Sequence, residues 1–311
     1  MSAGNQMSNA VLLVRPGSFG FHAEAAASNA FASAPGDAHV HAKALDEFEG
    51  LARRLSQARV NTLILEDSTD PAKPDAVFPN NWVSFHSDGT VVLYPMATAA
   101  RRLERNLDGM TALLSGSGFE VRRVLDLSGH EGRERFLEGT GSLILDRPRR
   151  QAFASLSART DRDVIAEFDE ELDYSTLVFE AADVAGQPIY HTNVLLSLGT
   201  RFAVLCTEAV APGARAALIA EIEGSGRDLI EVDFDQMGRF ACNLLELRNR
   251  DGDPVIALSS TALDAFRPDQ RRALEGFGEL IAVPIPTIES VGGGSVRCMI
   301  ADIHLPRFGS R

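Results

Sequence analysis

The stretch Gly292-Gly293-Gly294-Ser295-Val296-Arg297-Cys298 sets three glycines just ahead of a cysteine near the end of a 311-residue chain. Three glycines let a backbone pass close to a ligand with its N–H groups exposed. A cysteine four residues beyond the last glycine sits where such a backbone would cradle an oxyanion. The chain has three cysteines. Cys206 ends the apolar run Phe202-Ala203-Val204-Leu205-Cys206, and Cys242 follows Phe240-Ala241, so both read as buried small hydrophobes. Cys298 has the setting of a nucleophile, although a free cysteine is more often a packing residue.

A cysteine nucleophile needs a histidine for proton transfer and a third group to orient that histidine. Seven histidines are available. His39 and His41 are spaced i,i+2 at a helix start and would point apart, which makes them poor metal ligands. His86 lies in a polar turn, His130 in a charged stretch, and His22 and His304 lack a supporting motif. His191 follows a Gly-Gln-Pro turn and opens Tyr190-His191-Thr192-Asn193-Val194. On its own it reads first as a strand-end histidine satisfied by backbone. Glu138 falls in Leu137-Glu138-Gly139-Thr140-Gly141-Ser142, an acid on a glycine-rich turn, where an exposed loop carboxylate is the plain alternative. Gly139-Thr140-Gly141 lacks the third glycine and opening helix of a dinucleotide site.

Composition narrows the partners. The chain is 45% hydrophobic and 23% charged, with a net charge of −13 and a pI near 5.0, an ordinary globular composition. That acidity argues against nucleic acid or an anionic membrane surface. Three cysteines offer no disulfide framework and fit a reducing cytoplasm. Residues 1–10 are polar, without a basic segment followed by an apolar stretch, so no signal peptide is expected. No apolar run approaches the ~18 residues of a membrane helix.

Short β-like runs rich in Val, Ile and Leu recur at residues 10–14, 62–66, 91–94, 143–146, 201–206, 254–258 and 296–303. Helical patterns lie between them. Residues 43–58 carry Leu45, Phe48, Leu51, Ala52 and Leu55 near a 3.6 period, and residues 98–114 and 212–223 read alike. One helix with several strands returns roughly every 60 residues, about five times, which points to a repeat architecture or propeller. Residues 1–9 are expected to be a disordered tail and residues 10–311 a single α/β domain.

Together, the acid-glycine turn at Glu138, the His-x-Asn segment at His191 and the glycine-rich cysteine motif resemble the pentein superfamily. Its members include arginine deiminases, dimethylarginine hydrolases, agmatine deiminases, amidinotransferases and arginine dihydrolases. The likeness runs from Arg15-Pro16-Gly17-Ser18-Phe19-Gly20-Phe21 through Ser157-Ala158-Arg159-Thr160 and Ala241-Cys242-Asn243-Leu244. The strings Phe78-Pro79-Asn80-Asn81-Trp82-Val83 and Gly-Gly-Gly-Ser-x-Arg-Cys look most like the arginine-deiminase-related, citrulline-utilising branch. The resemblance implies an α/β-propeller of five ββαβ-type repeats with pseudo-fivefold symmetry. It also implies a Cys298, His191 and Glu138 catalytic set that needs no metal or organic cofactor.

Guanidinium-binding relatives grip the cation with two aspartates, at positions that here hold Asn81 and Asn193. A carboxylate only accepts hydrogen bonds and suits the N–H fork of a cation, whereas an amide both donates and accepts and suits a neutral ureido group. The implied substrate is therefore a small ureido or guanidino amino acid, citrulline first. Asn80 competes with Asn81 for the role. Ser142 stands where many relatives have an aspartate, leaving Asp75 as the expected anchor for the α-amino group. Arg101 (or Arg102) and Arg159 match the offsets of carboxylate-binding arginines, whose planar fork suits that group. The implied chemistry is thiolate attack on the ureido carbon, with an imidazolium at His191. Arginine dihydrolase, deiminase or amidinotransferase activity and a noncatalytic binding protein are the alternatives. The oligomeric state is left open, a homodimer included.

Overall fold

The apolar runs are four to eight residues long, the length of strands, and their Val and Ile content favours a pleated surface. The computed structural model describes residues 5–36 and 39–309 and joins these runs with further short strands into five three-stranded sheets. The first sheet holds β1 (Ala10–Arg15) and, after α1 (Ala23–Ala26) and α2 (Val40–Gln57), β2 (Asn61–Glu66). The second holds β3 (Val83–Phe85), β4 (Thr90–Leu93) and, after α3 (Ala99–Arg102) and α4 (Leu107–Gly116), β5 (Arg123–Asp126). After α5 (Gly139–Ser142) come β6 (Ile144–Asp146), β7 (Gln151–Ser155), α6 (Arg162–Leu172) and β8 (Ser175–Phe179). The fourth comprises β9 (Leu196–Leu198), β10 (Phe202–Leu205), α7 (Pro212–Gly224) and β11 (Asp228–Glu231). Behind α8 (Phe234–Gly238) lie β12 (Leu245–Arg248), β13 (Pro254–Ser259), α9 (Ser260–Ala265), α10 (Pro268–Glu275) and β14 (Glu279–Val283). The last strand, β15 (Ala301–Asp302), returns to pair with β1, so both ends of the chain share one sheet.

One rule generates all five sheets. The middle strand pairs antiparallel with one neighbour and parallel with the other. A parallel partner requires a crossover, and a helix supplies it each time. In α2 the crossover helix buries Ala44, Phe48, Leu51 and Leu55, a single face at 3.6-residue spacing. Burial of each large side chain contributes about 2 kcal/mol. Among the described residues no helix is long and apolar enough to cross a membrane.

The short antiparallel strand of each sheet is entered through a tight turn. The N–H of Asn81 returns to Phe78 O (3.4 Å), Gly141 to Glu138 (3.0 Å), Val194 to His191 (3.2 Å), Asn243 to Phe240 (2.8 Å) and Cys298 to Ser295 (2.9 Å). These five turns carry the candidate site.

Three expectations change. Residues 98–114 form two helices, because Glu104 folds back onto Arg101 and Asn106 caps a fresh start by accepting Gly109 N–H (3.0 Å). Residues 296–303 form a buried turn followed by the two-residue β15, the apolar side chains of Val296, Met299 and Ile300 filling a core rather than a sheet face. Of the expected tail 1–9, residues 1–4 lie outside the described residues. Ser8 is buried and Gln6 Nε2 donates to Leu145 O (2.9 Å) while its Oε1 accepts Arg147 N–H (3.0 Å).

Candidate active site

The glycine run is shaped by packing. A Cβ on Gly292 or Gly294 would meet the Phe78 ring at 2.9 Å, and Gly293 adopts φ +65°, open to glycine at little cost. Tyr190 Oη donates to Gly293 O (2.7 Å) and Asn29 Nδ2 to the Gly292 and Gly293 carbonyls (3.3 and 3.2 Å). The Gly293 N–H turns back to Glu289 O (3.0 Å) and the Cys298 N–H to Ser295 O. These two N–H groups are thus used inside the turn. The donors beside the sulfur are side-chain amides: Asn193 Nδ2 at 3.4 Å and Asn243 Nδ2 at 3.3 Å from Cys298 Sγ. Cys298 is buried, as are Cys206 and Cys242.

His191 and Glu138 meet directly, with Nε2 at 2.8 Å from Oε2. An ionised Glu138 can only accept, so Nε2 carries the proton and Nδ1 keeps its lone pair. Glu138 Oε1 also accepts Ala97 N–H (3.0 Å), and Arg159 and Arg101 stand 3.3 and 3.6 Å from Oε2. Burial alone would raise the Glu138 carboxyl. The Arg159 charge, the His191 hydrogen bond and the Arg101 charge outweigh it and hold it well below the usual carboxylate range. At His191 burial wins: it pushes the imidazole down to about 4 against the pull of Glu138. Burial thus favours the neutral ring at His191, whereas the sequence reading expected an imidazolium there.

Asn81 and Asn193 each keep one amide atom tied and one unused. Asn81 Oδ1 accepts from Arg101 Nη1 (2.9 Å), and Asn193 Nδ2 faces Sγ. Among the described residues neither Asn81 Nδ2 nor Asn193 Oδ1 has a hydrogen-bond partner, and both residues are buried. Asn81 Nδ2 and His191 Nδ1 border the same small space, 2.5 and 2.8 Å from where a Gly141 Cβ would sit. Asn80 is buried with neither amide atom partnered.

The two arginines are held by protein groups beside Glu138. Arg101 makes a bidentate pair with Glu104 (3.0 and 3.0 Å), and Arg159 donates to Ser28 Oγ and Ala25 O (both 2.7 Å) while its guanidinium lies 5.2 Å over the Tyr190 ring. Both guanidinium forks thus make hydrogen bonds within the chain. Arg102 is turned away, with Nε on Met96 O (3.0 Å). Asp75, the expected amine anchor, accepts from His22 Nδ1 (2.8 Å). Ser142 Oγ donates to Arg159 O (2.9 Å) and accepts Glu138 N–H (3.1 Å), so it braces the acid turn.

Sequence reading missed Asn243, Glu104, His22 and Ser28 as members of this network. For Asn243 a signal existed: it occupies the same turn position as Asn81 and Cys298, in step with the repeat. Glu104, His22 and Ser28 belong to crossovers and carry no such signal.

Five sheets built on one rule, with a buried cysteine, histidine and glutamate on their entry turns, make this chain a pentein, a superfamily of guanidino-modifying enzymes. Within it the chain belongs to the family described as N,N dimethylarginine dimethylhydrolase, eukaryotic, whose model matches residues 15–305. Among solved structures, ArgZ in its apo form, an arginine dihydrolase from the ornithine-ammonia cycle in cyanobacteria, matches with a TM-score of 0.73 at 17% identity. The match covers 96% of this chain and 41% of that one. The N-terminal domain of ArgZ bound to substrate gives 0.72 at 17% identity, over 95% of this chain and 99% of that one. A dimethylarginine dimethylaminohydrolase adduct with S-methyl-L-thiocitrulline gives 0.64 at 16% identity, over 95% and 99%. This chain thus spans about two fifths of full-length ArgZ. No protein of curated function matches it in sequence.

Proposed function

We propose that this chain is a cysteine-dependent hydrolase acting on the C–N bond of a ureido amino acid, citrulline first, to give ornithine, carbon dioxide and ammonia. The unused amide pair carries the reading: a buried NH₂ at Asn81 and a buried carbonyl at Asn193. A ureido group offers a carbonyl and N–H groups side by side and satisfies both. A guanidinium has no acceptor for the Asn81 donor, and a buried donor left unmade costs roughly 1–3 kcal/mol. The five sheets are read as blades of a single pseudo-fivefold α/β-propeller domain, the entry turns meeting at its centre.

In the proposed reaction the Cys298 S–H proton passes to the neutral His191 as sulfur bonds to the ureido carbon. Glu138 stabilises the imidazolium formed, and that proton then leaves with ammonia as the C–N bond breaks. The remaining thiocarbamate is hydrolysed by water activated by His191, and the released carbamic acid loses carbon dioxide. An arginine dihydrolase reading has its own support, since the fold is shared with ArgZ and with AgrE in complex with L-arginine. The test is a steady-state screen of citrulline, arginine and methylated arginines for ammonia, ornithine and citrulline release. Turnover of citrulline above arginine is expected; preference for arginine sinks the ureido reading.

A further inference from the structure

We propose that Asn243 is a further catalytic residue, whose side-chain N–H holds the Cys298 sulfur as a thiolate. The amide cannot be turned round. Its Oδ1 accepts the Arg297 main-chain N–H (3.0 Å), and its Nδ2 faces the Asn193 main-chain carbonyl (3.3 Å). Reversal would set NH₂ against an N–H and oxygen against a carbonyl, losing both bonds. Two main-chain groups therefore decide that Nδ2 is the amide atom nearer Sγ, at 3.3 Å, with Oδ1 at 3.7 Å, where it accepts from the thiol before the proton leaves. The second amide hydrogen is left for the sulfur.

The need for it follows from burial. Asn243 and Cys298 are 1% and 4% exposed, so little water reaches a developing thiolate. An anion in such a place requires fixed donors, which cost no reorganisation when the charge appears. Asn193 Nδ2 supplies one at 3.4 Å and Asn243 the other. The two differ in kind. Asn193 has an unused carbonyl for a ligand, whereas every polar atom of Asn243 is committed to Arg297, Asn193 and the sulfur. In the reaction Asn243 exchanges no proton. It donates to sulfur as the S–H bond breaks toward His191, and again as the C–S bond breaks and the thiolate returns.

The inference rests on Cys298 being the nucleophile, and not on which substrate it attacks. The experiment therefore reads the thiol without substrate. The pH dependence of iodoacetamide alkylation is followed by peptide-resolved mass spectrometry, which separates Cys298 from Cys206 and Cys242. Wild type, Asn243→Ala and Asn243→Asp are compared. The expected result is a Cys298 midpoint raised by about one pH unit in Asn243→Ala and further in Asn243→Asp, where a carboxylate faces the sulfur. kcat/KM should fall about tenfold or more in both. A folded Asn243→Ala protein whose midpoint is unchanged overturns the proposal, because a purely structural side chain would not move it. Should Asn243→Ala fail to fold, Asn243→Ser is decided by the same midpoint. Wild-type Cys298 that reacts no differently from an ordinary thiol, with ureido turnover intact in Cys298→Ser, refutes the nucleophile itself.

Discussion

At Asn81 one amide is divided between two tasks, its oxygen holding Arg101 and its NH₂ left for a ligand. That division makes Asn81→Asp the cleanest test of head-group choice. The carboxylate keeps its Arg101 partner and turns an acceptor, where there was a donor, toward the site. The ratio of kcat/KM for citrulline over arginine should fall at least about tenfold, the scale of a charge-assisted hydrogen bond; an unchanged ratio shows that Asn81 does not face the head group. Asn193→Asp is less clean, since it also sets a carboxylate beside Cys298 Sγ. Cys298→Ser and His191→Ala should each abolish ammonia release, and the double variant should lose no more than either single one if they act as a unit. Sequence could single out Cys298 and Glu138 because each stands in a glycine-rich turn motif, and His191 because it follows a Gly-Gln-Pro turn. It did not show what Arg101 and Arg159 do, because their partners Glu104, Ser28 and Ala25 are set by tertiary packing.

Two glycines of one element, α5, separate folding from chemistry. Gly139 has φ +48°, and a Cβ there would meet Asn80 O at 2.2 Å, a main-chain atom that cannot step aside. Gly139→Ala should therefore destabilise the protein by about 2 kcal/mol or more, seen as a lower midpoint in urea. Gly141 has no such backbone demand. Its Cβ would instead push on Asn81 Nδ2 and His191 Nδ1, at 2.5 and 2.8 Å. Gly141→Ala should lose about a hundredfold in kcat, as small misplacements of reacting groups do, with a nearly unchanged urea midpoint. Equal losses of stability in the two variants would show that α5 serves the fold alone. At this scale β1, β2, β4, β6, β10 and β13 were legible as apolar runs bounded by Gly, Pro or Asp, whereas short or half-exposed strands such as β5, β8 and β14 were not. The turn at 295–298 was not: Val296, Met299 and Ile300 look like a strand in composition, and only the core they fill makes them a turn.

The whole molecule buries several ionisable groups, and their signs fix its response to acid. The repeat made the five-unit plan legible, yet spacing alone could not say which histidines are sealed inside. His191 and His304 are each pushed by burial from an ordinary 6.5 to about 4, and burial likewise lowers His86 well below 6.5. Between pH 6.5 and 4 the unfolded chain takes up protons at these sites that the folded chain refuses, so stability falls as pH falls. His191 and His304 each contribute on the order of 3 kcal/mol at most across that window, and His86 acts in the same direction. Glu104 works the other way. Burial raises it from 4.5 to about 7, so its contribution is full below pH 4.5 and lost as pH rises through 7. It offsets about one histidine. The urea midpoint of the wild type should therefore decline from pH 6.5 to 4 with a shallow slope. Glu104→Gln, whatever its midpoint at pH 7, should decline more steeply over the same range, because the opposing group is gone. Parallel slopes in the two proteins would show that Glu104 ionises as an ordinary carboxylate and that the Arg101 pair is held as two full charges.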